Sequence, residues 1–260
     1  MALRSRQLGV VEGFNTSIDR ELECLHRGEM QTCRHYAVGT WGKWVVYTKL
    51  DKWYPIAEHL PGLRRLIEQS CNVDALEVGH VFYSERDGFL HPHRDWSEEA
   101  PLFHRVHIPL QADEGCLMTE GALLFRMSVG EAWLLDASEV HSAGCFSARP
   151  RYHLVLDMAP WADLATDLTM TPMTDTTYSI ISQPVWSIEQ ENAFLDLAPL
   201  FAPETLEHLV ALASALHFDW DLHAAHSWRL LAKLADGTND TTLGDMVETL
   251  TSRYLGHSAK

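Results

Sequence analysis

His93, Arg94 and Asp95 follow one another, His141 lies downstream, and Arg151 stands ten residues beyond it. Two imidazoles and one carboxylate gathered on one side of an ion form the donor set of non-haem Fe(II) oxygenases, because they leave the remaining positions open for a cosubstrate and dioxygen. Such a centre can attack an otherwise inert C–H bond. His93 and Asp95 can reach one ion only from an extended backbone, since residues i and i+2 of a strand project to the same side whereas on a helix they diverge. The tripeptide alone proves little in a chain with 15 histidines, and a second copy does occur at His217-Phe218-Asp219. That copy ends a helical stretch, and His223 and His226 nearby have no carboxylate in register, so a structural role is expected there.

The first copy gains weight from its surroundings. Arg86-Asp87-Gly88 reads as a hairpin turn leading into Phe89-Leu90, and His141 follows the strand-and-turn pattern Trp133-Leu134-Leu135-Asp136. The candidate ligands therefore sit at strand ends. Downstream, Arg151, His153, Val155 and Asp157 alternate with Tyr152, Leu154, Leu156 and Met158, which puts Arg151 on the face opposite the apolar row. Arg105 and His107 stand in the same relation to Val106, Ile108 and Leu110. An inward guanidinium needs an anion, and two of them on polar barrel faces suit a dicarboxylate, one gripping each end. For the charged groups of a small substrate the candidates are Arg94, Arg126, Glu131, Asp157 and Arg86, and spacing assigns none of them. Arg94, between two ligand positions, should face away from the metal, with Glu98 or Glu99 as alternative partners. Trp133 reads as core, Trp96 as core or pocket wall, His80 and His91 as structural, and His104 as a surface strand residue.

These side chains must be held by strands. Over 40–159 the apolar residues come in short runs rich in aromatic and β-branched types, broken by Gly, Pro and Asp, which predicts an antiparallel sandwich or barrel. The one helix expected within it, 63–70, follows Pro61-Gly62 and puts Leu63, Leu66 and Ile67 on one face. Beyond residue 184 the period becomes helical. Leu206, Leu209, Val210, Ala213 and Leu216 form one stripe, and Ala224, Trp228, Leu231 and Leu234 another. Leu243, Met246, Val247, Leu250 and Tyr254 outline a final helix. Pro203 suits a first helical turn and Gly237 a C-terminal cap, while the Thr-rich stretch 169–177 reads as a linker.

The chain has 260 residues with 46% hydrophobic and 22% charged side chains, values of a folded domain. Its net charge of −16 repels nucleic acid and anionic membranes. Residues 161–260 hold 14 acidic and 4 basic side chains, read as a solvated acidic surface. Five cysteines without a C-x-x-C pair argue against disulfides and structural zinc and for a reducing cytoplasm. Residues 1–9 lead into no apolar run of signal-peptide length, and no stretch approaches the roughly 18 apolar residues of a membrane span. A cytoplasmic protein is expected.

His93-Arg94-Asp95, Arg105-Val106-His107-Ile108-Pro109-Leu110, the run from Phe125 through Trp133 to Ala137, His141-Ser142-Ala143 and Arg151-Tyr152-His153-Leu154 occur in an order that resembles the aspartyl/asparaginyl β-hydroxylase family of 2-oxoglutarate dioxygenases. Within it the likeness is greatest to bacterial hydroxylases of free L-proline. It covers roughly 75–160, and the tail 186–260 resembles the C-terminal helical region of bacterial proline 3-hydroxylases. The resemblance implies a double-stranded β-helix, a cupin-like jelly roll, over 1–165 and a C-terminal helical domain over 180–260. It implies Fe(II) held by His93, Asp95 and His141, the far carboxylate of 2-oxoglutarate bound by Arg151, and Arg105 and His107 near the carboxylate beside the keto group. O2 would be the oxidant and ascorbate the reductant in vitro. Asp95 sets the chain apart from animal members that commonly lack that ligand, and from halogenases. The implied reaction turns a free amino acid, L-proline or its homologue L-pipecolate, into a hydroxyamino acid with release of succinate and CO2. One alternative is a peptide- or carrier-bound amino acid, although carrier domains are themselves acidic and the acidic tail opposes them. The other is a jelly roll that binds metal or ligand without turnover, which has no use for open iron positions. A homodimer is left open as the assembly.

Overall fold

The computed structural model describes residues 4–11, 17–25, 30–32, 36–95, 103–172, 180–238 and 240–256, so Trp96, Glu98, Glu99 and Cys33 lie outside the described residues. The strands are β1 (Arg6–Val10), β2 (Gln31–Thr32), β3 (Ala37–Val38), β4 (Trp41–Thr48), β5 (Lys52–Trp53), β6 (Leu76–Ser84), β7 (Gly88–Leu90), β8 (His104–Gln111), β9 (Cys116–Glu120), β10 (Leu123–Phe125), β11 (Glu131–Leu134), β12 (His141–Cys145), β13 (Arg151–Met158) and β14 (Ile180–Ile181). The helices are α1 (Ser17–Leu25), α2 (Pro61–Ser70), α3 (Leu164–Asp167), α4 (Ile188–Leu195), α5 (Leu206–Asp219), α6 (His226–Thr238) and α7 (Thr241–Leu255).

Two antiparallel sheets result, one in the order β1-β11-β8-β13-β6-β4-β2 with β5 beside β4, the other in the order β14-β10-β9-β12-β7-β3. Between β6 and β13 the chain passes back and forth between the sheets, leaving β11-β8-β13-β6 in one and β10-β9-β12-β7 in the other. That winding is the jelly roll expected from the sequence. Alternation along the strands decides which face does what. Val106, Ile108, Leu110, Leu154, Leu156 and Met158 pack in one core with Ile18 and Leu22 of α1 and Leu63, Leu66 and Ile67 of α2. The opposite face of β8 and β13 is thereby left to Arg105, His107, Arg151, His153 and Asp157. The Glu21 carboxylate of α1 accepts from the amides of Gly62 (2.7 Å) and Leu63 (2.9 Å), capping α2 and joining the two helices.

The C-terminal helices bury a core of their own, with Leu209, Val210, Trp228, Leu231, Leu234 and Val247 at its heart. Phe218 of α5 docks against Phe89 and Leu124 of the second sheet. Several local expectations are corrected. The turn at Arg86-Asp87-Gly88 forms, with Asp87 at a φ of 61°, but β6 and β7 belong to different sheets, so it is a crossing between layers and not a hairpin. Pro203 precedes α5 instead of standing in its first turn, and Gly237 lies inside α6. The break after α6 is set by Asp240, whose carboxylate accepts from the amides of Thr242 (2.9 Å) and Leu243 (3.4 Å) to start α7. The Thr-rich stretch is partly tied down: Thr171 exchanges backbone hydrogen bonds of 2.9 and 3.0 Å with Val10, and residues 173–179 lie outside the described residues. No helix among the described residues is long and apolar enough to cross a membrane.

His217, in the second H-x-D copy, is 1% exposed, and neither of its ring nitrogens has a hydrogen-bond partner among the described residues. Burial, helped by His223 and His91, pushes its pKa down to about 3. The unfolded chain takes up this proton near its ordinary value of about 6.5 and the folded chain does not, so stability is full above that pH and is lost as pH falls toward 3. His217→Leu is expected to flatten the fall of Tm between pH 6.5 and 4.5, relieving about 1 kcal/mol per pH unit. Parallel melting curves for the two proteins would remove His217 as a source of acid sensitivity.

Candidate metal centre

Beyond β7 the chain stays extended and lays His93 beside His141. The His93 amide donates to the His141 carbonyl at 3.0 Å, the His141 amide returns the bond at 2.9 Å, and the Asp95 amide donates to the Ala137 carbonyl at 3.0 Å. Both ends of the i, i+2 pair are thus pinned to the loop that carries the distal histidine. The imidazoles are oriented by backbone as well, with His93 Nδ1 on the His91 carbonyl at 2.7 Å and His141 Nδ1 on the Glu139 carbonyl at 2.9 Å. A carbonyl accepts only, so each Nδ1 carries a hydrogen, which leaves Nε2 as the nitrogen that a metal would meet. One ligand atom from each of His93, Asp95 and His141 lies within 4.8 Å of the other two.

The protonation states suit a divalent ion. Burial, together with the neighbouring His93, lowers the His141 pKa to about 4, so that ligand is neutral at physiological pH. Burial alone would raise the Asp95 carboxyl, but the neighbouring His93 and His141 rings and the Arg105 guanidinium overcome this and hold it below the ordinary carboxylate range. Two imidazoles turned by their Nδ1 bonds and one carboxylate fit a 2-His-1-carboxylate ion site.

A chain of charged groups braces the carboxylate. Asp95 Oδ2 accepts from Arg105 Nη1. The same guanidinium grips Asp157 through Nε to Oδ1 at 2.8 Å and Nη2 to Oδ2 at 3.0 Å. Asp157 Oδ2 also meets His80 Nε2 at 3.1 Å. Desolvation disfavours the Arg105 charge, yet Asp157 and Asp95 hold its pKa above the ordinary value. Arg105 uses three of its N–H donors in this network and keeps two of the five that a guanidinium carries.

Arg151 has no such company. It is 2% exposed, and its guanidinium lies 5.5 Å from the Trp41 ring centroid. Nη2 is 3.2 Å from Met118 Sδ and 3.1 Å from His153 Nδ1. No carboxylate pairs with it among the described residues. Burial lowers its pKa to about 10, against a weak opposing pull from the Cys116 and Cys145 thiols. A buried, unpaired cation is costly. His107, on the same sheet face, has neither ring nitrogen hydrogen-bonded among the described residues, and burial followed by repulsion from Arg151 and Arg105 keeps it neutral. An orphaned guanidinium and an orphaned imidazole on the face that also carries Arg105 and Asp157 fit a dicarboxylate cosubstrate of the ion.

The other sequence candidates go elsewhere. Arg94 turns away as expected, its Nη1 donating to the Leu255 carbonyl at 3.3 Å. Arg126 Nε donates to the Glu114 carbonyl, Arg86 pairs with Asp87 in the open, and Glu131 accepts from Ser128 and from the core residue Trp133. Of that group only Asp157 belongs to the network at the centre. Sequence reasoning gave no role to Met118, Trp41 or Tyr36, whose ring lies 6.0 Å from that of His93. His80, read as structural, is the outer brace of that network. His153 shares the alternating row of Arg151, and that row was the signal available for it.

Comparison with known proteins gives two family matches. Residues 14–160 match the family described as Aspartyl/Asparaginyl beta-hydroxylase, and residues 164–259 match L-proline 3-hydroxylase, C-terminal. The chain is 28% identical over 207 residues to L-proline cis-4-hydroxylase of Rhizobium meliloti (strain 1021), covering 78% of this chain and 73% of that protein. It is 25% identical over 212 residues to L-proline cis-3-hydroxylase 1 of a Streptomyces species, with 78% and 72% covered. Among solved structures, a Pseudomonas putida prolyl-4-hydroxylase aligns with a TM-score of 0.41 at 13% identity, over 61% of this chain and 93% of that one.

Proposed function

Because the chain belongs to the aspartyl/asparaginyl beta-hydroxylase family, we propose that it is an Fe(II)- and 2-oxoglutarate-dependent hydroxylase of a free amino acid, with L-proline or L-pipecolate as substrate. The observation that carries the cosubstrate is Arg151, buried without an anion on the sheet face that also bears the brace of Asp95. The substrate class follows the names of the two relatives and the second family match over 164–259.

His93, Asp95 and His141 would hold the ion. With iron, 2-oxoglutarate and O2 bound, the centre would supply oxidative decarboxylation of the keto acid coupled to hydroxylation of a C–H bond. The protein's own part is placement. Arg105 occupies one oxygen of Asp95 and so leaves the other to face the ion, and its two remaining donors are available to the carboxylate beside the keto group. Arg151 takes the far carboxylate, and the neutral His107 offers a ring N–H between them. The divalent ion and the two guanidinium groups exceed Asp95 and Asp157 by two positive charges, which a keto diacid dianion neutralises. Burial of His107, Arg151 and His153 keeps bulk water from these side chains.

Incubation with Fe(II), ascorbate and 2-oxoglutarate is expected to convert free L-proline or L-pipecolate to a product heavier by one oxygen, with matching succinate, read by mass spectrometry. Turnover of peptide- or carrier-bound residues alone would replace this reading with the tethered-substrate one. Succinate release with no amino acid acceptor of either kind would overturn both.

A further inference from the structure

The segment 91–95 supplies two of the three metal donors, and its backbone is held from two sides by different parts of the chain. On one side it pairs with the His141 and Ala137 carbonyls. On the other, the C-terminal helices take over, with contacts from each of the three longest. Trp228 Nε1 of α6 donates to the Pro92 carbonyl at 2.9 Å. The Arg94 amide donates to the Tyr254 carbonyl of α7 at 2.9 Å, and the Arg94 side chain donates to the adjacent Leu255 carbonyl. His91 Nδ1 lies 2.9 Å from Ser214 Oγ of α5.

Each of these bonds serves both partners. The last carbonyls of a helix have no acceptor role inside it, and Arg94 gives α7 a donor and a positive charge where its dipole favours one. In return, the two backbone groups flanking His93 meet partners inside the protein. Aromatic packing stiffens the arrangement: Trp228 stacks on Tyr254 at 4.7 Å and 19°, and Tyr254 presents its edge to His91 at 5.6 Å. Trp228, Ser214 and Tyr254 are all at least 97% buried. Their effect on a metal passes through the 91–95 backbone and, from Tyr254, also through the Tyr36 ring, which lies 5.2 Å from Tyr254 and 6.0 Å from His93.

We propose that the C-terminal helical unit positions the metal ligands, and that Trp228, through its bond to the Pro92 carbonyl, is a positioning residue that keeps His93 and Asp95 in register with His141. This rests on the metal reading of His93, Asp95 and His141. Misplacement of ligands by a supporting shell is felt first in metal affinity, where loss of one outer partner costs about 10- to 100-fold.

The test is a Co(II) titration of the full chain, followed by its visible absorption, for the wild type, Trp228→Phe, Ser214→Ala and Val247→Ala. Trp228→Phe keeps a ring beside Tyr254 and removes the N–H together with part of the indole's buried volume, a packing loss for which Val247→Ala is the control. Val247 lies in the same helical core with no bond to the segment, so Val247→Ala lowers Tm without touching the clamp. The expected result is a Kd for Co(II) raised about tenfold in Trp228→Phe, raised to a smaller extent in Ser214→Ala, and unchanged in Val247→Ala. A Kd within twofold of wild type in both clamp variants, or an equal rise in Val247→Ala, overturns the positioning role. If Trp228→Phe does not fold, Ser214→Ala decides by the same criterion. Failure of the wild type to bind Co(II) would instead remove the metal reading underneath.

Discussion

His141→Ala is expected to abolish hydroxylation and, under anaerobic conditions with Fe(II) and 2-oxoglutarate, to erase the weak visible charge-transfer band of a chelated keto acid that the wild type should show. The effect should be all-or-none at ordinary iron concentrations, because the described residues bring three protein donors together and the remaining pair, His93 and Asp95, comes from one short segment. Loss of an outer partner costs about 10- to 100-fold in affinity, and loss of a direct ligand exceeds that. The fold should survive. The pairing of His141 with His93 runs through backbone amides and carbonyls, which alanine retains, and the deleted imidazole is one that burial and His93 already keep uncharged. A wild type that shows no band would refute the cosubstrate assignment. A His141→Ala protein that keeps the band would move the third ligand to another residue.

A strand period carries part of the centre in the sequence. Alternation along 151–158 and 104–110 puts Arg151 and Asp157 on the polar face of one strand and Arg105 and His107 on that of another without knowledge of the sheet order. What alternation does not carry is the pairing between strands. The register of Arg105 with Asp157 turns that arginine from a free cation into the brace of Asp95, and it depends on β8 and β13 becoming neighbours although Arg105 and Asp157 stand 52 positions apart in the chain. Arg94 was legible for the same local reason as Arg151, since a residue between two ligands on an extended backbone points the other way. Its true partner, the end of α7, was not, because helix C-termini carry no sequence mark of the segment they will meet. The turn at Asp87-Gly88 shows the limit most plainly. Its residues specify a reversal of direction, and nothing local tells whether the next strand joins the same sheet or the opposite one.

Arg151→Met separates the two roles a buried arginine can have. If the guanidinium holds the far carboxylate of 2-oxoglutarate, its loss leaves a buried anion without a partner, a penalty of about 3–5 kcal/mol. That corresponds to a KM for 2-oxoglutarate raised by roughly two to three decades, with the KM for the amino acid little changed. Methionine fills much of the same volume and suits the surroundings of Met118 and Trp41, so packing is nearly preserved. Stability gives the second reading. In the protein without cosubstrate Arg151 is a desolvated charge that no described carboxylate compensates, and burial has already brought its pKa down to about 10. Removing it is therefore expected to raise Tm, while the stabilisation that 2-oxoglutarate gives the wild type by binding the folded state should vanish from the variant. A structural arginine would behave in the opposite way on both counts: Tm would fall, and the KM for 2-oxoglutarate would stay where it was.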